Sequence, residues 1–106
     1  MSAPYDVSPV ALDDIDAAAA FIAEKSVPAA ERFVDEVYDS FEKLARNPHL
    51  GHPRSDLTPL PVFFWTAFKG YAVIYRKTEP LQIVRVLAWR QDLPTLLSDE
   101  GGFADS

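Results

Sequence analysis

Four arginines, Arg54, Arg76, Arg85 and Arg90, carry the groups with the most chemistry in this sequence. Each guanidinium stays charged and offers a planar fork of donors that suits a phosphate or a carboxylate. Arg85 is the least ordinary of them, because it interrupts the apolar run "IVRVLA" (83–88). Arg54 lies in a proline-rich connector, Arg76 ends an apolar stretch, and Arg90 follows the last one. Gathered at one sheet face, these groups suit three tasks. They can bind phosphates, stabilise a pentacoordinate phosphorane during RNA cleavage, or clamp the carboxylates of a peptide partner. The structural alternative is internal pairing, of Arg85 or Arg90 with Asp92 and of Arg54 with Asp56, since buried arginines are usually paired.

Other chemistries lack their residues. With no cysteine there is no thiol nucleophile, thiolate metal site or disulfide framework, which suits a reducing compartment. His49, His52 and Asp56 stand near one another in the connector, but solvated loop histidines are the commoner reading and no metal is expected. Asp13, Asp14 and Asp16 read as a helix start, without the glycine and terminal glutamate of a calcium loop. The glycine pair of "GGF" opens no helix, so no phosphate loop is present, and no cofactor is implied.

The elements that must position the arginines follow from periodicity. Residues 4–7 read as an opening strand. Ser8-Pro9 then starts a helix, with Ser8 as N-cap and Pro9 in its first turn, ending near Lys25. Ser26-Val27-Pro28 starts a second helix, on which Ala30, Phe33, Val37, Phe41 and Leu44 form one apolar stripe opposite a run of charges. Pro48 stops that helix near Arg46-Asn47. The connector "NPHLGHPRSDLTPLP" (47–61) precedes three strands, 62–68, 71–77 and 81–88, joined by tight turns as an antiparallel meander. A short helical turn is read at 93–97.

The expected fold is α+β in the order β-α-α-β-β-β, an antiparallel helix hairpin on one face of a small antiparallel sheet. It forms a single domain over 1–97, followed by a flexible acidic tail at 98–106. Both alternating sets of "VFFWTAF" (62–68) are apolar, so that strand should be covered on both faces, by the helices and by something else. An exposed aromatic face around Phe64 and Trp65 would then be a partner site, and the alternative is a core filled with aromatics.

The net charge of −6 argues against broad binding to a nucleic-acid backbone. Its distribution is uneven: residues 1–47 hold 10 acidic and 4 basic residues, whereas residues 48–92 hold 3 acidic and 6 basic ones. The second half is therefore a local basic field, either facing a partner or neutralising the acidic half. No apolar run reaches the roughly 18 residues of a membrane span, and the first residues do not read as a signal peptide, so the cytosol is the expected place.

Taken in order, "YDVSPVALDDIDAAAAFIAEKS", "AAERFVDEVYDSFEKLARNPHLGHPRSDL", "YAVIYR" and "IVRVLAWRQDL" resemble the RelE/ParE superfamily of type II toxin–antitoxin toxins, and within it the ParE branch. The resemblance covers about residues 5–97. It implies a bacterial cytoplasmic toxin, in some systems serving plasmid stabilisation, neutralised in a hetero-oligomer by an antitoxin with a DNA-binding N-terminal domain. ParE-like members trap DNA gyrase by binding and are not known as catalysts. RelE-like members cleave ribosome-bound mRNA, and that alternative would use Arg54, Arg76 and Arg85 around the phosphate. The family often has His-Gly after "RVL", where this chain has Ala88-Trp89, so no imidazole stands there as general base. With the acidic net charge, this favours the ParE branch: no catalytic residue, no direct DNA binding by the toxin alone and no membrane. A chain that binds antitoxin without toxicity remains a third reading. The implied antitoxin contacts are Phe64, Trp65, Arg76 and Arg85, and the candidate target contacts are Trp89, Arg90 and Asp92. Arg85 itself is expected to be structural or partner-facing.

Overall fold

A computed structural model describes residues 4–98. The elements run β1 (Tyr5–Val7), α1 (Pro9–Ala23), α2 (Val27–Arg46), a 3-10 turn (Pro48–Leu50), β2 (Phe63–Phe68), β3 (Tyr71–Arg76), β4 (Leu81–Ala88) and α3 (Leu93–Ser98). The α+β order agrees with the sequence reading; the tail after Ser98 lies outside the described residues.

Local signals account for the helix boundaries. Ser8 is extended, and its hydroxyl accepts the Ala11 N–H, with Pro9 following as the first helical residue. Ser26 does the same for α2, accepting from Ala29 N–H. The predicted stripe of α2 is inside: Phe33, Val37, Phe41 and Leu44 are fully buried and Ala30 nearly so. Phe33, Val37, Phe41 and Leu44 pack with Ala11 and Ile15 of α1 against Tyr71, Val73, Tyr75, Leu81, Ile83, Val86 and Ala88 on one sheet face.

The sheet order is β1-β4-β3-β2. The meander β2-β3-β4 is antiparallel as expected, and β1 adds a parallel pair with β4, Tyr5 opposite Leu81 and Val7 opposite Ile83. A register shift between Ile74 and Tyr75 sets both Val84 and Arg85 of β4 against Ile74 of β3, a bulge that re-aims Arg85.

The second sheet face corrects the expectation of a face left open for a partner. Phe64, Ala72, Ile74, Val84 and Leu87 are covered there by the chain's own Val62, Leu93 and Leu97, with Leu57, Leu60, Leu96 and Trp89 around them. The two-sided burial of β2 is therefore real, but its second cover is the end of the connector and α3. These side chains close a second, smaller core on the far side of the sheet.

One polar lock ties the connector to the core. The Tyr75 hydroxyl, wholly buried, donates to the Pro48 carbonyl at 2.6 Å and accepts the Gly51 N–H at 2.9 Å. Burial pushes the Tyr75 phenol above its ordinary 10.0, and the Gly51 N–H opposes that in part. A raised phenol pKa means the folded state keeps a proton that the unfolded state releases. The stability it contributes is intact below pH 10 and is lost as pH rises through the folded value. In Tyr75→Phe, urea midpoints measured from pH 8.5 to 11 are expected to fall less steeply above pH 10 than in the wild type. Below that pH the variant starts lower, by about 1–3 kcal/mol, because the Gly51 N–H loses a buried acceptor. Equal alkaline slopes in the two proteins would refute the lock.

Candidate functional site

The arginines that prompted the phosphate reading do not converge. The bulge turns Arg85 towards α1, where its Nε and Nη2 donate to the two carboxylate oxygens of Asp14 at 2.8 and 3.0 Å. Both side chains are largely buried, 11% and 12% exposed. Asp14 also accepts the backbone N–H of Val86 at 3.0 Å. Six residues earlier, at the N-cap, the Ser8 N–H donates to the Ile83 carbonyl and the Ser8 hydroxyl to the Val84 carbonyl. β1 stops pairing at Ile83, so Ser8 and Asp14 continue along the edge of β4 where that strand leaves off. Arg85 is thus structural. Its partner is Asp14, and not Asp92 as the sequence allowed.

Arg54 and Asp56 pair as expected, through two bonds of 2.9 and 2.7 Å on the surface. The hydrogen bonds from Arg54 hold the Asp56 carboxyl below its ordinary range, and the same bonds push the guanidinium up. With side chains 42% and 62% exposed, this pair is weak and sensitive to salt. The Arg54 guanidinium also lies over the Trp89 ring, 5.4 Å from its centroid. Arg76 is half-buried at the end of β3, its Nε enclosed without a hydrogen-bond partner. Arg90 is exposed and lies over the Phe21 ring of α1, at 5.3 Å, and not against Asp92 as the sequence allowed. Asp92 instead accepts from the Thr95 hydroxyl at the start of α3. Arg85 and Arg90 therefore sit by α1, Arg54 on the opposite face beside β2, and Arg76 at the strand end.

The aromatic candidates divide between interior and surface. Phe64 is 4% exposed and belongs to the second core, so it is no open contact. Trp89, half-buried, stacks on Phe64 at 5.7 Å between centroids and donates its indole N–H to the Thr66 hydroxyl. Trp65 faces the helices, half-buried, under the ammonium of Lys43 at 5.6 Å. Lys77 lies over Phe63 at 3.9 Å, with its Nζ 3.1 Å from His49 Nδ1. A cleft of about 390 Å³ opens between His52, Arg54, Phe64, Trp65, Thr66 and Trp89.

Sequence reasoning missed Asp14 and the lysine partners of β2. Asp14 had a signal, an acid one helix face away from an arginine that had to be paired, but 71 residues separate them. Lys43 and Lys77 gave none, because cation–ring contacts leave no spacing pattern.

An α-helix hairpin on a four-stranded sheet with a self-covered second face defines a small α+β class, and comparisons give it a family. The family model for the ParE toxin of the type II toxin–antitoxin system parDE matches residues 5–93. The chain belongs to that family. A solved structure described as the chromosomal ParDE toxin–antitoxin system from P. aeruginosa shares the fold, with a TM-score of 0.66 at 20% identity over 79% of this chain and 92% of that one. No curated protein matches the sequence. No helix among the described residues is long and apolar enough to cross a membrane.

Proposed function

We propose that this chain is the toxin of a type II pair, held inactive by its antitoxin in the bacterial cytoplasm, and that it inhibits DNA gyrase by binding. The observation that carries the choice of binding over RNA cleavage is the dispersal of the arginines. Arg85 is committed to Asp14, Arg54 lies on the opposite face over Trp89, and Ala88 is buried where family relatives often carry a histidine. A ribonuclease needs donors converging on one phosphate and a base within hydrogen-bond reach of the ribose hydroxyl.

With Phe64 in the core and Arg85 paired, Trp65 and Arg76 remain as the antitoxin contacts among the four candidates. Trp89, Arg90 and Asp92 remain the candidate target surface, with Arg90 its exposed cation. The acidic net charge supports a toxin that does not bind DNA on its own, leaving that to the antitoxin's N-terminal domain.

Controlled expression in bacteria lacking the antitoxin tests the reading. Growth arrest with filaments and a DNA-damage response is the expected result. Arrest with rapid mRNA loss and no damage signal would overturn it for the ribonuclease. Normal growth with soluble protein present would overturn it for a non-toxic antitoxin-binding module.

A further inference from the structure

Among the described residues three large apolar side chains stand exposed, Leu12, Phe21 and Val27. Val27 borders the groove between α1 and α2, with Ala19, Ala23 and Val34. Phe21, 54% exposed, belongs to a different side of α1. It follows Asp14, Ala17 and Ala18 at the spacing i, i+3, i+4 and i+7, which sets all four on one helix face. Asp14 fastens that face to β4 through Arg85 and the Val86 N–H. The two alanines leave a slot of about 180 Å³ between α1 and the end of β4, with Phe21 and Arg90 among its walls.

The turn after β4 is tied at both ends. Trp89 N–H donates to the Gly70 carbonyl at 2.9 Å, Ala88 N–H to Gln91 Oε1 at 2.7 Å, and Gln91 N–H to the Ala88 carbonyl at 3.0 Å. Its successive side chains part to opposite sides. Trp89 goes to the second core, against Phe64, and Arg90 goes to α1, its guanidinium 5.3 Å from the centroid of the Phe21 ring. Among the described residues Arg90 has no ion-pair partner, since Asp14 is taken by Arg85 and Asp92 bonds to Thr95. It is an unmatched cation on a chain of net charge −6, and its complement is a carboxylate. Arg76, by contrast, pairs with Gln82 at the far end of β3 and β4, and Trp65 lies on β2. The patch is therefore separate from the remaining antitoxin contacts.

We propose that Phe21 of α1 is a positioning residue for target binding. It holds the Arg90 guanidinium at the slot, where Arg90 takes a carboxylate of gyrase and the walls of Ala17 and Ala18 take an apolar side chain beside it. The proposal rests on the reading of the chain as a gyrase inhibitor and adds to its target surface a residue of the first helix. Aromatic rings and arginines are enriched where interfaces are most fully buried. A ring–guanidinium contact strengthens when a partner excludes water from it. Holding the guanidinium over the ring beforehand lowers the cost of ordering it on binding.

The test reads the concentration of purified chain that gives half-maximal linear DNA with gyrase, ATP and supercoiled plasmid. It compares the wild type with Phe21→Leu, Phe21→Tyr, Arg90→Ala and Phe21→Leu/Arg90→Ala. Leucine keeps an apolar side chain and removes the ring. Both positions are exposed, so thermal midpoints by circular dichroism are expected to match the wild type. Phe21→Leu and Arg90→Ala should each raise the concentration about tenfold. The double variant should be no worse than Arg90→Ala, because Phe21 acts through the guanidinium. Phe21→Tyr, which keeps the ring, should stay within about twofold of the wild type. Wild-type linear DNA matched by Phe21→Leu at the same concentration overturns this inference and leaves the gyrase reading standing. Fully additive losses in the double variant do the same. So does binding of plasmid by the chain alone that Arg90→Ala abolishes, which would give Arg90 to a phosphate. No linear DNA from folded wild-type chain overturns the inference and the gyrase reading together.

Discussion

Asp14→Ala is expected to destabilise the fold by about 3–5 kcal/mol, because it strands a guanidinium that the bulge of β4 holds away from water. The Arg85–Asp14 pair is only 11% and 12% exposed, and the same carboxylate takes the Val86 N–H. Removing it leaves a charge and a backbone donor unsatisfied together. For a domain of about this size the fall in Tm should reach roughly 15 °C. The companion variant Asp14→Asn/Arg85→Met separates the two losses. The amide oxygen still accepts from Val86, and the methionine fills the stem of the arginine without its charge. This double variant should recover more than half of the lost stability, since a buried pair is often replaceable by apolar side chains of similar volume. Thermal denaturation followed by circular dichroism reads both. A Tm change of under about 3 °C in Asp14→Ala would mean that Arg85 escapes to solvent and is free for another role.

Gly51→Ala is the second large effect, expected at about 3 kcal/mol. A Cβ added there would stand 2.5 Å from the Tyr75 hydroxyl oxygen, 2.8 Å from its Cε1 and 2.9 Å from the Phe64 carbonyl oxygen. The Phe64 carbonyl is bonded to His52, and the Tyr75 ring is fixed in the core by Pro48 and Gly51. Neither neighbour is the loose end of a side chain, so the connector itself must move, at the upper end of the range for overpacking. If the connector lifts, His52 and Arg54 lose their place beside β2. A urea midpoint within error of the wild type would show that the connector shifts freely and that the Tyr75 lock is unimportant. The contrasting Gly70, at φ +80° in the β2–β3 turn, has nothing within 4 Å of an added Cβ. Its requirement is conformational alone.

Much of the fold was readable because its signals are local. Ser8-Pro9 and Ser26-Val27-Pro28 mark helix starts by capping chemistry, and the α2 stripe and the alternation of β3 follow from side-chain geometry. What escaped was set by long-range pairing. Nothing in "IVRVLA" marks a bulge, so the direction of Arg85 and its partner Asp14 were invisible until β4 met α1. The cover of the second face is hidden in the sequence for a related reason. Leu57 and Leu60 sit among prolines and read as connector, and Leu93 and Leu97 read as a short helical turn with no face assigned to it. Their apolar count was the available sign that these segments fold back over Phe64 and Ile74. The arginines were the clearest feature of the sequence and the least transferable one, since residue type alone does not say that four guanidiniums end on different sides of a sheet.

The most direct measurement mixes the purified chain with DNA gyrase, ATP and supercoiled plasmid, and stops the reaction with detergent and protease. Accumulation of linear DNA that needs both gyrase and the chain is the result this account predicts, and it should be suppressed by the cognate antitoxin. Unaltered gyrase products at a saturating amount of folded chain would contradict it, the more so if the same preparation cut mRNA on ribosomes.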